Sequence, residues 1–269
     1  MKKEQQINKF EERFSEEPIE IVAVTGLSGV GAGKAGSEPL WTASIPIIEW
    51  KEKDTDQVMT DKIRLCWLTD DYGLREKQAQ LHQESIVKLL VRKGEHEMIL
   101  MSIIDNDTQD DELQTLLEEA QKPIYYHDDK LGAFKLVKGI DLFETNVKWG
   151  NQESLLYFNL GEDEEINDCL QTARQLVQDQ DKWDATMKSF AAKDLLAQAN
   201  EWNEHNDTEL NDEDITYDLF MSRITLESLQ TYPNGEFEAL YHDGDLFWGH
   251  IIIVRGHING SFESANIAG

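Results

Sequence analysis

The sequence predicts an α+β fold, with antiparallel sheets and packed helices arranged as two α+β units. Three observations carry this. Hydrophobic residues make up 40% of the 269-residue chain, enough to fill a core, with seven Trp, seven Tyr and ten Phe. Short alternating runs bounded by Gly, Asn and Asp turns recur in both halves and read as strands and hairpins. Between them lie segments with helical spacing, the longest from about residue 163 to 205.

Taken in order, residues 3–15 read as a short charged helix with Ile7, Phe10 and Phe14 on one face. Residues 19–25 read as a strand, followed by a glycine-rich stretch from Gly26 to Gly36. Strands are expected at 40–50 and 62–69, a polar helix at 74–84, and strands at 85–92 and 97–104 around Gly94. Residues 110–121 read as a helix with an acidic first turn, stopped by Pro123. The stretch Tyr125-Tyr126-His127-Asp128-Asp129-Lys130 reads as a boundary, giving units at 1–125 and 126–269.

The second unit restarts with a meander over 132–137, 140–149 and 154–160. The long helical region breaks near 179–181. Its stripe of Trp183, Met187 and Phe190, continued by Leu195, Ala199 and Trp202, reads as core packing. A short helix is expected at 212–223 with Asp212 as N-cap. The end reads as hairpins: 225–232, 236–242, 246–254 and a last strand near 262–267. Alternation from Leu246 through Trp248 and His250 to Val254 places Trp248 and His250 on a core face, with the histidine satisfied by a backbone carbonyl.

Charge narrows the function classes. The chain carries 25 basic and 53 acidic residues, net -28. Such a field keeps a protein soluble, disfavours nucleic acid and anionic membrane, and favours basic partners. The bias is uneven. Residues 1–125 hold 15 basic against 25 acidic groups, and residues 126–269 hold 10 against 28. Between Asp194 and Val254 there are fourteen carboxylates and one basic residue, Arg223. The two cysteines, Cys66 and Cys169, form no CxxC pattern and read as reduced thiols. With no signal-type apolar run after Met1-Lys2-Lys3, a cytoplasmic location is expected.

Motifs for chemistry are sparse. Ser28-Gly29-Val30-Gly31-Ala32-Gly33-Lys34-Ala35 follows a strand and approaches GxxxxGK[ST]. It lacks the first glycine, at Ser28, and the magnesium-binding hydroxyl, at Ala35, and Pro39 follows where a helix should start. A turned loop is the reading. His242, Asp245 and His250 are the candidate metal ligands, since imidazole and carboxylate together suit zinc or manganese. They would serve a metal-dependent or small-molecule enzyme. No GxSxG, HExxH or Cys–His nucleophile pattern occurs, and no cofactor is expected. The acidic residues Glu201, Glu204, Asp207, Glu209, Asp212 and Glu213 are the candidate partner-binding set, a negative surface that would steer a basic protein.

One resemblance adds to this. Leu131-Gly132-Ala133-Phe134-Lys135-Leu136, Trp149-Gly150, residues 196–202 (LAQANEW), Tyr232-Pro233-Asn234-Gly235-Glu236-Phe237 and Asp243-Gly244-Asp245-Leu246-Phe247-Trp248-Gly249-His250, with the closing Ala265-Asn266-Ile267-Ala268-Gly269, resemble a family of bacterial domains of unknown function. The likeness spans about residues 126–269 and brings no catalytic residues. Related acidic domains look like immunity proteins encoded beside bacterial toxins. The resemblance therefore implies a non-enzymatic binding module, an immunity-type inhibitor of a basic partner. A structural or regulatory subunit is the remaining alternative.

Overall fold

In the computed structural model, the described residues are 2–53, 55, 57–204 and 214–269. The chain divides into two units, Met1–Lys122 and Pro123–Gly269. Both are α+β.

The first unit is a small barrel. Its strands are β1 (Pro18–Thr25), β2 (Gly31–Gly33), β3 (Trp41–Glu52), β4 (Ile63–Thr69), β5 (Ile86–Lys93) and β6 (Glu97–Asp105). Strand β1 pairs antiparallel with both β3 and β5, so the order β1-β5-β6-β4-β3 closes on itself. Strands β4 and β6 run parallel, and β2 hangs on β3 as a short edge. Without β2, the barrel order is 1-2-3-5-4-1, with one helix between the third and fourth strands. That is the Greek-key topology of the OB-type barrel.

Alternation explains closure. Ala43, Ile45 and Ile47 of β3, and Val87, Leu89 and Val91 of β5, point inward and are fully buried. Strand β4 breaks alternation, with Leu65, Cys66 and Trp67 all buried. Its outer face is covered as well. Helix α1 (Lys3–Glu11) and the turn after it lay Phe10 and Phe14 against Cys66 and Ile99. The helix expected to reach residue 15 stops at Glu11 because Phe14 N–H turns back to the Glu11 carbonyl. Helix α2 (Asp71–Gln80) starts three residues before the expected 74, since the Asp70 carboxylate accepts from Gly73 N–H at 2.9 Å. Helix α3 (Asp111–Gln121) is capped the same way by Asp110, through Leu113 N–H at 3.1 Å. The glycine-rich stretch leads into an edge strand, not a helix, so it lacks the helix N-terminus a phosphate loop uses.

The second unit is one eight-stranded sheet with helices. It begins with β7 (Tyr125–Asp128), β8 (Gly132–Val137), β9 (Leu142–Trp149) and β10 (Gln152–Asn159). Helices α4 (Asp163–Gln178), α5 (Gln180–Glu204) and α6 (Tyr217–Arg223) follow, then β11 (Thr225–Thr231), β12 (Glu236–His242), β13 (Ile251–His257) and β14 (Phe262–Ala268). The order runs from β14 at one edge to β7 at the other. The sheet is antiparallel except at β10–β11, where the helical crossover returns the chain in the same direction.

The helices build one core with the sheet, in which Phe134, Phe158, Phe220, Phe237, Tyr241 and Phe247 are fully buried. The helical break falls at Asp179, inside the expected window. Two carboxylates organise this core. Asp184 accepts from Trp149 Nε1–H at 3.1 Å and from Tyr241 O–H at 3.3 Å. Asp128, whose side chain is almost fully buried, pairs with the Arg174 guanidinium and accepts from Leu131 N–H at 2.9 Å.

Two expectations near the end are corrected. Helix α6, expected from residue 212, starts at Tyr217 and is capped by Thr216, whose hydroxyl accepts from Leu219 N–H at 3.2 Å; Asp212, the expected N-cap, lies outside the described residues. Residues 246–250 are not strand. They belong to a tight turn, and β13 begins only at Ile251.

Candidate interaction site

The turn Asp243–His250 between β12 and β13 is built around a single carboxylate. Asp243 is buried and accepts from three backbone groups: Asp245 N–H at 3.2 Å, Phe247 N–H at 2.6 Å and Gly249 N–H at 3.0 Å. An aspartate that bonds its own backbone two residues on is the common way such residues make turns. Here the same side chain continues for six residues. The turn needs four positive φ angles, at Gly244, Asp245, Trp248 and Gly249. For tryptophan such an angle is strained and must be held by its surroundings.

That strain fixes a sharp alternation of environment. Leu246 and Phe247 point into the core, while Trp248 is 56% exposed. The expectation that Trp248 lies in the core is thus overturned, because the turn removes it from the strand period. Behind it stands Trp202, half-buried on the last turn of α5, with ring centroids 4.8 Å apart. Trp202 also meets Phe247 edge-on at 5.6 Å and His250 at 5.2 Å. Phe247 in turn touches Phe220 of α6. An exposed indole is therefore backed by a chain of aromatic contacts that ends in the core.

A clamp holds the neighbouring segment. The Asn200 side chain accepts from Ile215 N–H at 2.7 Å and donates to the Ile215 carbonyl at 3.1 Å. This ties the entry to α6 onto α5, where Leu219 adds a further exposed apolar side chain. Of the predicted acidic set, Glu201 and Glu204 flank Trp202 on the exposed end of α5. Asp207, Glu209, Asp212 and Glu213 lie outside the described residues.

The three predicted metal ligands are not a ligand set. His242 sits exposed at the end of β12, with Nδ1 3.8 Å from a Glu227 carboxylate oxygen. Asp245 is on the exposed side of the turn, and its N–H is already committed to Asp243. His250 Nδ1 lies 2.5 Å from the Phe247 carbonyl, with its ring against Trp202. Among the described residues no three His, Cys, Asp or Glu side chains converge to hold a metal ion. The residue types pointed to a metal, and the turn leaves the three side chains in separate surroundings. Both thiols are buried, and burial before all else pushes Cys66 up to about 12 and Cys169 to about 11, which disfavours the reactive thiolate at both.

Sequence reasoning places a turn at Asp243-Gly244 and weighs Trp202 and Trp248 as exposed anchors while favouring the core for both; it misses the Asp243 carboxylate as the centre of the turn and the Asn200 clamp. The Asp-Gly-Asp run was the available signal for a turn at that point.

Residues 128–267 match the family model described as "Uncharacterized protein conserved in bacteria (DUF2262)". Residues 6–120 match "Domain of unknown function (DUF7021)". The two matches fall one within each structural unit. No curated protein and no solved structure matches.

Proposed function

We propose that this chain, which belongs to the bacterial family described as uncharacterized proteins conserved in bacteria (DUF2262), is a non-enzymatic binding module whose second unit docks on a basic protein. The observation that carries the reading is Trp248, exposed, held at a left-handed backbone angle and seated on Trp202. The strained backbone holds an aromatic ring that is more than half exposed and packs on Trp202 with its remaining face. That arrangement suits a contact residue presented in a fixed conformation, and tryptophan is the commonest kind of binding hot spot. Preorganisation of this sort lowers the ordering cost of association.

The charge supplies the partner class. Fourteen carboxylates against Arg223 between Asp194 and Val254 form a field that attracts a cationic surface and speeds its approach. An immunity-type inhibitor of a basic toxin such as a nuclease fits both features. The aromatic pair would supply affinity, and the carboxylates rate and selectivity.

The test is capture from the native lysate by wild type and by two variants, Trp248→Ala and Glu201→Lys/Glu204→Lys, each checked for folding by circular dichroism. A basic protein should be retained by wild type and released by rising salt. Loss of one hot-spot tryptophan should weaken it by about 2 kcal/mol, roughly thirtyfold. A partner retained equally by all three proteins would sink the proposal.

A further inference from the structure

The second unit carries a pocket at the end of β12 and β13 opposite to the Asp243 turn. Its volume is about 470 Å³, within the ~300–1,000 Å³ range of small-molecule sites. Cross-strand pairing builds it. Glu238 lies opposite Arg255 and Glu236 opposite His257, so the four side chains share one face of the sheet. Phe237, between the two glutamates, points the other way into the core, so this face is the one turned from the helices. Tyr232, just after β11, and Phe262 and Glu263 of β14 add to the lining.

Two local devices shape the pocket. Strands β13 and β14 fall out of step at one point: Arg255 pairs with Ser264 but Gly256 with Phe262, which leaves Glu263 as the extra residue of a bulge. Bulges re-aim side chains in this way and recur beside functional sites. At Gly256 a Cβ would stand 2.8 Å from the Phe237 ring and 2.9 Å from that of Phe262. Glycine there lets both rings close in on the apolar side.

The polar lining is of two kinds. Arg255 Nε donates to a Glu238 carboxylate oxygen at 2.6 Å, which fixes the guanidinium, while its Nη groups have no partner among the described residues. The Tyr232 hydroxyl has none either, and burial before all else holds its pKa up at about 12, so it stays a donor at neutral pH. His257 Nδ1 accepts from Asn259 N–H at 2.9 Å, which puts the proton of the neutral ring on Nε2. Against these donors stand the carboxylates. Glu238 is already paired, and Glu236 and Glu263 are exposed and form no ion pair among the described residues.

We propose that this pocket binds a free α-amino acid with an apolar side chain. The Nη edge of Arg255 and the Tyr232 hydroxyl take its carboxylate, a planar acceptor that matches a fork of N–H donors. Glu236 and Glu263 take its ammonium, and the side chain rests against Phe262. A simple anion is opposed by the two unpaired carboxylates. A simple cation leaves the guanidinium edge and the hydroxyl without an acceptor. A ligand that carries both charges on neighbouring atoms satisfies both sets.

The test is isothermal titration of the full chain with L-leucine and L-phenylalanine, and with the N-acetyl derivative and the decarboxylated amine of each. Saturable binding of an amino acid is expected. Its acetylated form and its amine should each bind about tenfold more weakly or worse, the effect of one charge-assisted contact. Arg255→Ala and the double variant Glu236→Gln/Glu263→Gln should weaken the amino acid by a similar factor, with the fold checked by circular dichroism. Trp248→Ala should leave binding unchanged, which keeps this test apart from that of the Trp248 surface. No saturable heat with either amino acid up to about 10 mM overturns the proposal. An acetylated form or amine that binds as well as its amino acid overturns it too, as does binding indifferent to both the Arg255 and the glutamate variants.

Discussion

Asp243 and Asp128 show how a buried carboxylate is made useful in an acidic chain. Each exchanges water for backbone N–H groups, and Asp128 adds Arg174. Asp243→Ala would leave three N–H groups without an acceptor. Unfolding by urea should show a loss of about 3 kcal/mol. Trp248 fluorescence should shift as its backbone relaxes. For Asp128, burial raises the carboxyl, but the Arg174 guanidinium and the N–H groups of Leu131 and Lys130 outweigh it, leaving the group below its ordinary value. Asp110 is lowered likewise, its burial outweighed by Lys51 and the helix N–H groups. A carboxyl lowered in the folded state binds its proton later than in the unfolded chain. Its contribution is full above the ordinary value of about 3.9 and is lost as pH falls through the folded value. An acid titration of stability should therefore show a loss beginning near pH 4. In Asp128→Asn that loss should be smaller, from a lower starting stability.

Among the elements, turns and caps decide the boundaries. Gly244 joins β12 to the Asp243 turn at φ +58°, and a Cβ there would stand 2.5 Å from the Arg223 carbonyl oxygen. Neither the angle nor the backbone atom can yield cheaply. Gly244→Ala should cost more than about 2 kcal/mol in chemical denaturation, well beyond the ~1 kcal/mol of a strained backbone angle alone. The same turn explains why a period-two reading of residues 246–254 succeeds from Ile251 onward and fails before it. Alternation is a property of extended chain, and four positive φ angles end it. The caps Asp70 and Thr216 moved helix starts in the same local way, each by accepting from an N–H three residues on.

Across the molecule as a whole, charge outweighs every other surface property. At net -28 the folded chain repels itself, and mobile ions relieve that repulsion. The thermal midpoint should rise with sodium chloride between low salt and about 0.5 M, where the screening length falls to a few ångströms. A midpoint insensitive to salt would mean that local pairs, not the overall field, set the stability. The second unit has its own core of sheet and helices, all from residues 126–267. Expressed alone, residues 123–269 should unfold cooperatively by circular dichroism. The OB-type closure of the first unit rests on β1 pairing with two strands at once, contacts separated by tens of residues.

The α+β class, most of the strands and long helices, the break at Asp179 and the surplus of carboxylates are all legible in the order of residues. They follow from composition and from periods of two and 3.6, which local sequence carries. Other features emerge only when distant segments meet. The first unit closes as a barrel, β10 and β11 run parallel, and Trp248 faces outward on Trp202 while His242, Asp245 and His250 stay apart. Pairing of remote strands and the three-dimensional aim of a side chain after a strained turn leave no periodic trace in the residues that produce them.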